Sequence, residues 1–329
     1  MLANPQTRPL SVTFWDVGQA NCSTISLPNG NLVIIDTGNR GSPLIDWLAE
    51  RRQTIEAVVI THNDSDHVGS LPALIDAYHY RIKKAYLLIH QSDYAEKGKK
   101  LFRRLKQAEE QGLEVNRLES GQIIWEDSGL QAALKVVHPS MLENFHASNP
   151  NRTSGILCLE VAGQMQVIWP GDAPLSTLQK HCTGTNPEYL VGPHHGAPED
   201  YRSKTGHAAI KAVTPSKDYI SVSTRNRYNH PRPKFIRRLE MEDCKVVCSQ
   251  MTIHCDRRQV LQKQRPLMQS HAILGLRPPR NRGITCRGPL RLDWDGSKFV
   301  EDQLAAEHLA RISQLKRAQC LKGRNREWL

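Results

Sequence analysis

The sequence predicts an α/β protein built from two packed mixed sheets with helices outside. Two batches of strand-like segments, each interleaved with helical ones, call for two sheets rather than one. A chain of 329 residues is long enough to bury one large core, or one domain plus an appendage. The wholly apolar run Ala57-Val58-Val59-Ile60 has the composition of a central strand covered on both faces.

The elements follow in order. Leu10–Trp15 and Cys22–Leu27 alternate in polarity, and Pro28-Asn29-Gly30-Asn31 is a hairpin turn leading into the strand Leu32–Ile35. That strand runs into Asp36-Thr37-Gly38, an acidic residue followed by a turn. Pro43–Arg52 reads as a helix with Leu44, Ile45, Trp47 and Leu48 on its buried side. After Ala57–Ile60, a second helix spans Gly69–Ala77, a buried strand Ala85–Ile89, and a strongly basic helix Tyr94–Gln111. Strands are then expected at Ile123–Trp125, Ala133–Val137, Gly155–Val161, Gln166–Trp169, Tyr189–Val191, Tyr219–Ser223 and Lys245–Val247. Residues 1–254 are therefore read as the main domain and 255–329 as a basic C-terminal extension. In the extension, Gln259–Arg282 reads as an irregular linker, Leu290–Trp294 as a strand with its turn at Asp295-Gly296, and Val300–Leu321 as an amphipathic helix.

Charge is unevenly distributed. Residues 255–329 carry 16 Lys and Arg against 7 Asp and Glu, a surplus of nine out of the net +11. Such arginine-rich extensions meet a polyanion, most often nucleic acid, or serve as a solubilising surface. No run of about 18 apolar residues is present, so no membrane span is expected. Met1–Pro9 lacks an apolar signal core, which gives a cytoplasmic expectation. The eight scattered cysteines suit reduced thiols. Cys248, His254, Cys255 and Cys286 are a second-site zinc candidate, although their spacing matches no zinc-finger pattern. The oligomeric state is not legible, and the C-terminal helix is a candidate docking surface for a protein partner.

The chemistry concentrates at strand ends. His62-Asn63-Asp64-Ser65-Asp66-His67 places two imidazoles and two carboxylates in six positions directly after a buried strand. Without a cation, the two carboxylates would repel each other and be costly to desolvate. Mixed imidazole and carboxylate ligands suit Zn2+, Mn2+ or Fe2+, and the extra carboxylate favours Mn2+. Pro170-Gly171-Asp172 delivers a further aspartate suited to bridging two metals. Pro193-His194-His195-Gly196 adds two histidines, expected to point to different sides so that one of them ligates. His230, in Asn226-Arg227-Tyr228-Asn229-His230-Pro231, is a candidate to grip a substrate oxygen or protonate a leaving group.

This order of motifs resembles the metallo-β-lactamase superfamily and, more narrowly, the soluble hydrolase domain of the ComEC competence proteins. The matching residues are Asp16-Val17-Gly18-Gln19, Asp36-Thr37-Gly38, His62 to His67, Asn151 with Ser154, Gly171-Asp172, Pro193 to Gly196 and Asn226 to Pro231. They cover roughly residues 10–250. The resemblance implies an αββα sandwich with a dinuclear site of two divalent ions, Zn2+ or Mn2+. It implies that His62 and Asp64 serve one metal, Asp66 and His67 the other, that Asp172 bridges them, and that His194 or His195 completes the ligand set of the second metal. Asn151 stands where the superfamily has its third-motif histidine, with His138 as a substitute candidate. Gln19-Ala20-Asn21 and Ala197 also depart from the pattern.

The expected reaction is metal-assisted hydrolysis of a phosphodiester in DNA or RNA, with Asp66 orienting the water and His230 serving the leaving group. Asn151, Ser154 and Asn226, with Lys100 and Arg104 of the basic helix, are the candidate substrate contacts. A small substrate (cyclic nucleotide, lactone or thioester) and a non-catalytic regulatory subunit are the competing readings. The resemblance also implies a bacterial defence or DNA-processing setting.

Overall fold

A computed structural model describes residues 8–88, 96–146, 149–257, 260, 270–278, 283–315, 318 and 320. The expected ends at Ile89, Tyr94 and Leu321, and much of the Gln259–Arg282 linker, lie outside them.

Among the described residues, fifteen strands form two mixed sheets. The first contains β1 (Ser11–Phe14), β2 (Cys22–Ser26), β3 (Leu32–Thr37), β4 (Ile55–Ile60), β5 (Ile82–Leu87) and β6 (Glu114–Arg117). The second contains β7 (Ile123–Asp127), β8 (Ala132–His138), β9 (Ile156–Val161), β10 (Gln164–Trp169), β11 (Tyr189–Val191), β12 (Lys217–Ile220) and β13 (Lys245–Cys248). The hairpin β14 (Leu290–Trp294) and β15 (Phe299–Glu301) joins the first sheet, giving the order β15-β14-β1-β2-β3-β4-β5-β6. The second sheet has the order β13-β12-β11-β10-β9-β8-β7.

Strand alternation builds three layers of core from the same strands. Val33, Ile35, Ala57 and Val59 face the inter-sheet core, where Phe14 stacks on Tyr219 with ring centroids 5.1 Å apart. Their neighbours Leu32, Ile34, Val58 and Ile60 face outward onto helices. Those helices are Pro43–Ala49, Leu71–Tyr78 and Glu96–Glu109, which contribute Leu44, Leu48, Leu74 and Leu105. The helix Pro43–Ala49 starts where Ser42 Oγ accepts the Leu44 amide and proline occupies the first turn. On the far side, helices Leu175–Cys182, Lys204–Val213 and Pro233–Met241 cover the second sheet.

The segment read as an extension is woven into this frame. β14 pairs antiparallel with β1, and Trp294 and Phe299 enter the inter-sheet core. Glu301 accepts the Tyr189 hydroxyl at 2.8 Å and pairs with Lys217 at 3.0 Å, tying β15 to the second sheet. The fully buried Arg287 pairs with Asp302 at 2.8 Å. The amphipathic helix differs from expectation: Val300 lies in β15, and the helix runs from Ala305 to Ser313. The alternation of 299–301 outweighs helical spacing because β14 offers a free edge. β6, Glu114–Arg117, carries no apolar run and was not legible as a strand; it forms by parallel pairing with β5.

His308 on that helix is buried. Burial, with Arg287 and Arg311 nearby, pushes its imidazole down to about 4. In the unfolded chain it ionises near 6.5. Its neutral form is therefore favoured by folding, and stability is lost as pH falls from the unfolded value toward the folded one. Between pH 7 and pH 5 this group alone should cost about 2 kcal/mol. Urea midpoints at the two pH values should differ less in His308→Gln than in the wild type.

Candidate metal centre

β3, β4 and β5 run parallel, as do β10, β11 and β12, so their carboxyl ends lie on one edge where loops from both sheets meet. The loop after β4 carries His62 to His67, the turn after β10 carries Asp172, and the turn after β11 carries His194 and His195.

Asp172 is the hub. Its buried carboxylate lies 3.1 Å from His67 Nε2, 3.5 Å from His62 Nε2 and 3.4 Å from His194 Nε2. Asp66 lies 3.1 Å from His195 Nε2. Asp64 is half exposed, with Oδ2 3.7 Å from His62 Nε2. Two sets of ligand atoms each fall within 4.8 Å: His62, His67 and Asp172, and Asp66, His67 and His195. His62 Nε2, His67 Nε2 and Asp172 Oδ1 are buried with no hydrogen bond; at 3.1 Å the last two are close but misaligned. Converging buried donors without hydrogen-bond partners fit a cation, since otherwise each carries an uncompensated desolvation cost.

The charges are mutually tuned. Burial opposes ionisation of Asp172, but His67 and His62 outweigh it and hold the carboxyl well below its ordinary range. Burial likewise works against a proton on His67, and Asp36 and Asp172 overcome it, raising the imidazole well above its usual value. Asp66 is lowered: its hydrogen bond to His195 and the nearby His67 outweigh burial.

Several bracing residues were not assigned roles from sequence. Asp36 Oδ2 is 2.7 Å from His67 Nδ1, while Asp36 Oδ1 accepts the Thr61 amide at 2.8 Å. This carboxylate–histidine pairing orients a ligand and leaves Nε2 for the centre. Its signal was the Asp-Thr-Gly turn at the end of β3, where Asp36 takes a φ of 55°. Ser221 O holds His195 Nδ1 at 3.0 Å, and Gln19 Nε2 holds His230 Nδ1 at 3.0 Å. Asp16 anchors that Gln19 loop through Gln250 and His271, 2.9 and 3.1 Å away.

His194 and His195 both adopt left-handed backbone, with φ of 49° and 53°. Each non-glycine residue held there costs about 1–2 kcal/mol. The two rings face different carboxylates, His194 toward Asp172 and His195 toward Asp66, and of the two His195 falls within a 4.8 Å ligand set. Gly171, at φ 53°, has a different reason: a Cβ there would sit 2.2 Å from Ser154 Oγ.

Other expected contacts fall differently. Ser154 Oγ accepts the Asp172 amide at 2.9 Å and lies 3.2 Å from His62 Nδ1, so it braces the centre. Asn226 spends its side chain on the loop, accepting the His230 amide and donating to the His230 carbonyl. Asn151 lies in the short turn Pro150–Thr153, its carbonyl accepting the Ser154 amide. Lys100 and Arg104 are on the outer helix Glu96–Glu109, with Arg104 paired to Asp76 at 2.9 Å. His138 does not stand in for Asn151; it faces Glu143 and His181. His254 is partly buried with Nε2 3.3 Å from the Asn229 carbonyl oxygen, and among the described residues no ligand cluster forms from Cys248, His254, Cys255 and Cys286. Beside His230, an exposed Tyr228 with its ring 5.7 Å away and the exposed Arg225 and Arg227 form a rim that sequence reading did not single out.

Two packed mixed sheets with helices outside and a His/Asp centre at their shared edge define a metallo-β-lactamase-fold protein. Residues 15–143 match the family model of the metallo-beta-lactamase superfamily. Among individual proteins, it is similar to ComE operon protein 3 of Bacillus subtilis, with 26% identity over 256 residues, covering 70% of this chain and 31% of that protein. The chain thus spans about a third of that relative's length. Among solved structures, the metallo hydrolase Igni18 of Ignicoccus hospitalis is similar at 15% identity and TM-score 0.44, covering 87% of this chain and all (100%) of that one. Human tRNase Z, short form, is similar at 13% identity and TM-score 0.41, covering 64% of this chain and 92% of that one. No described helix is long and apolar enough to cross a membrane.

Proposed function

We propose that this protein is a metal-dependent phosphodiesterase acting on nucleic acid, with two divalent ions, Zn2+ or Mn2+, held by His62, Asp64, Asp66, His67, Asp172, His194 and His195. The observation that carries the substrate class is the rim beside the centre: exposed Tyr228, with Arg227 Nη2 2.8 Å from its hydroxyl, next to His230. An exposed aromatic ring offers a base a stacking face, and arginines offer phosphate contacts. The ions would supply Lewis-acid activation of water and neutralise charge developing on phosphate oxygens.

The chain's own groups divide the remaining work. Asp66 accepts and orients the attacking water. His230, with Nδ1 engaged by Gln19, keeps Nε2 for a substrate oxygen. Burial, together with His195 and His194, lowers this imidazole to about 3, so at neutral pH it donates a hydrogen bond from its uncharged form. Basic residues of the outer helix and the C-terminal segment are accessory contacts for the polyanion. A role in bacterial defence or DNA processing, within the cytoplasm, fits such an activity.

The test is hydrolysis of plasmid and single-stranded DNA or RNA across Mn2+, Zn2+ and Mg2+. Cleavage is expected, and Tyr228→Ala should raise KM by roughly five- to a hundredfold, the value of one stacked base. Intact nucleic acid alongside cleavage of a lactone or thioester would instead establish the small-substrate reading. Absence of metal binding would establish a regulatory subunit.

A further inference from the structure

A second ligand cluster lies outside the centre described above. His138 at the end of β8, Glu143 in the helix Met141–His146 and His181 in the last turn of Leu175–Cys182 bring their ligand atoms within 4.8 Å of one another. His138 Nδ1 is 3.3 Å from Glu143 Oε2, and His181 Nε2 is 3.6 Å from Glu143 Oε1. Both nitrogens are buried and neither makes a hydrogen bond.

The other nitrogen of His138 decides what the first one is. His138 Nε2 lies 2.9 Å from the Arg152 carbonyl oxygen. A carbonyl only accepts, so Nε2 carries the hydrogen and, in the neutral ring, Nδ1 presents a lone pair. That lone pair faces a carboxylate oxygen, an arrangement favourable only with a cation between them. Burial lowers both imidazoles, which keeps them in the neutral, ligating form. An imidazole whose second nitrogen donates to a backbone carbonyl is the arrangement that orients metal-ligating histidines.

We propose that His138, Glu143 and His181 form a separate site for one Zn2+ ion, with two imidazoles, one carboxylate and a fourth position open to water. Glu143 currently balances its charge with Lys180, 2.5 Å away. Lys180 is largely exposed on a flexible stem, so a metal ion displaces it into solvent without breaking a buried contact. The Glu143 oxygen that faces His138 also accepts the Ser140 amide and hydroxyl, at 2.9 and 2.8 Å, which fixes the carboxylate. The site would join three elements and, through Arg152, stiffen the turn leading to Ser154, which braces His62 and Asp172. This proposal is independent of the function assigned to the main centre.

The experiment counts zinc in the full chain, stripped and re-dialysed against Zn2+, for the wild type, His181→Ala and Glu143→Gln. Each variant should hold one ion fewer per chain than the wild type, and its melting temperature should respond less to added zinc. In an Asp172→Ala background, the visible absorption of bound Co2+ should persist and then vanish when His181→Ala is added. Folded variants with the wild-type zinc count overturn the proposal. A wild type that binds a single ion lost in His181→Ala upholds it and overturns the two-metal reading instead. The part-exposed His181 and the conservative Glu143→Gln change, which keeps an acceptor for Ser140, guard against loss of folding.

Discussion

Replacing Asp172 with alanine should empty the main centre and lower hydrolysis by about a thousandfold or more, since metal Lewis acidity contributes several kcal/mol to a transition state. Asp172 is the residue toward which three imidazoles converge, at 3.1, 3.4 and 3.5 Å. No other carboxylate among the described residues lies within ion-pair reach of both His62 and His67 through their Nε2 atoms. Loss of the carboxylate removes the counter-charge of two buried imidazoles as well as two oxygens that would hold metal. Asp172→Asn separates these effects: it keeps the volume and part of the donor set but carries no charge, and should retain metal weakly. Metal content and turnover read both variants, with circular dichroism to establish folding. An alanine variant that keeps both ions and the wild-type rate would contradict this assignment.

The second large effect belongs to Asp36, which touches no proposed substrate. Its Oδ2 pairs with His67 Nδ1, and both of its oxygens accept from Thr61. In Asp36→Asn, the amide can place an N–H toward Nδ1, which forces the hydrogen of the neutral ring onto Nε2. Nε2 would then lose the lone pair it presents to the metal. The expected loss is about 10- to 100-fold in metal affinity. Asp36→Ala should also destabilise the fold by about 3–5 kcal/mol, because a buried partner is left unpaired. Isothermal titration with Zn2+ reads the first effect and urea denaturation the second. His67 also predicts a pH dependence. The metal-free protein favours a proton on this raised imidazole, and the metal must displace it, so apparent affinity should rise with pH. If Asp36→Asn bound metal as the wild type does, the orienting role would fall.

Much of this was legible in residues. The apolar run Ala57–Ile60 marked β4 because strand interiors buried on both faces tolerate no polar side chain. Asp172 and the histidine pairs were legible as turns that deliver ligand-type side chains after apolar strands. β6 was not, since Glu114–Arg117 is half exposed at an edge and its conformation comes from pairing with β5. The bracing network was also hidden. Asp36 and His67 are 31 positions apart, and Asp16 and His271 are 255 apart, so no local spacing reveals them.

The sequence alone determined the two-sheet α/β class and the chemical types at each strand end, because side-chain period and residue chemistry are local properties. Only the tertiary structure decided which of those groups meet. It turned both His194 and His195 inward through left-handed backbone, spent Ser154 and Asn226 on bracing, and set Lys100 and Arg104 on the outer helix. It also sent His138 to Glu143 and His181 and folded residues 290–301 into the first sheet. Each outcome depends on where distant strands are packed against one another, and that is settled by burial across the whole core.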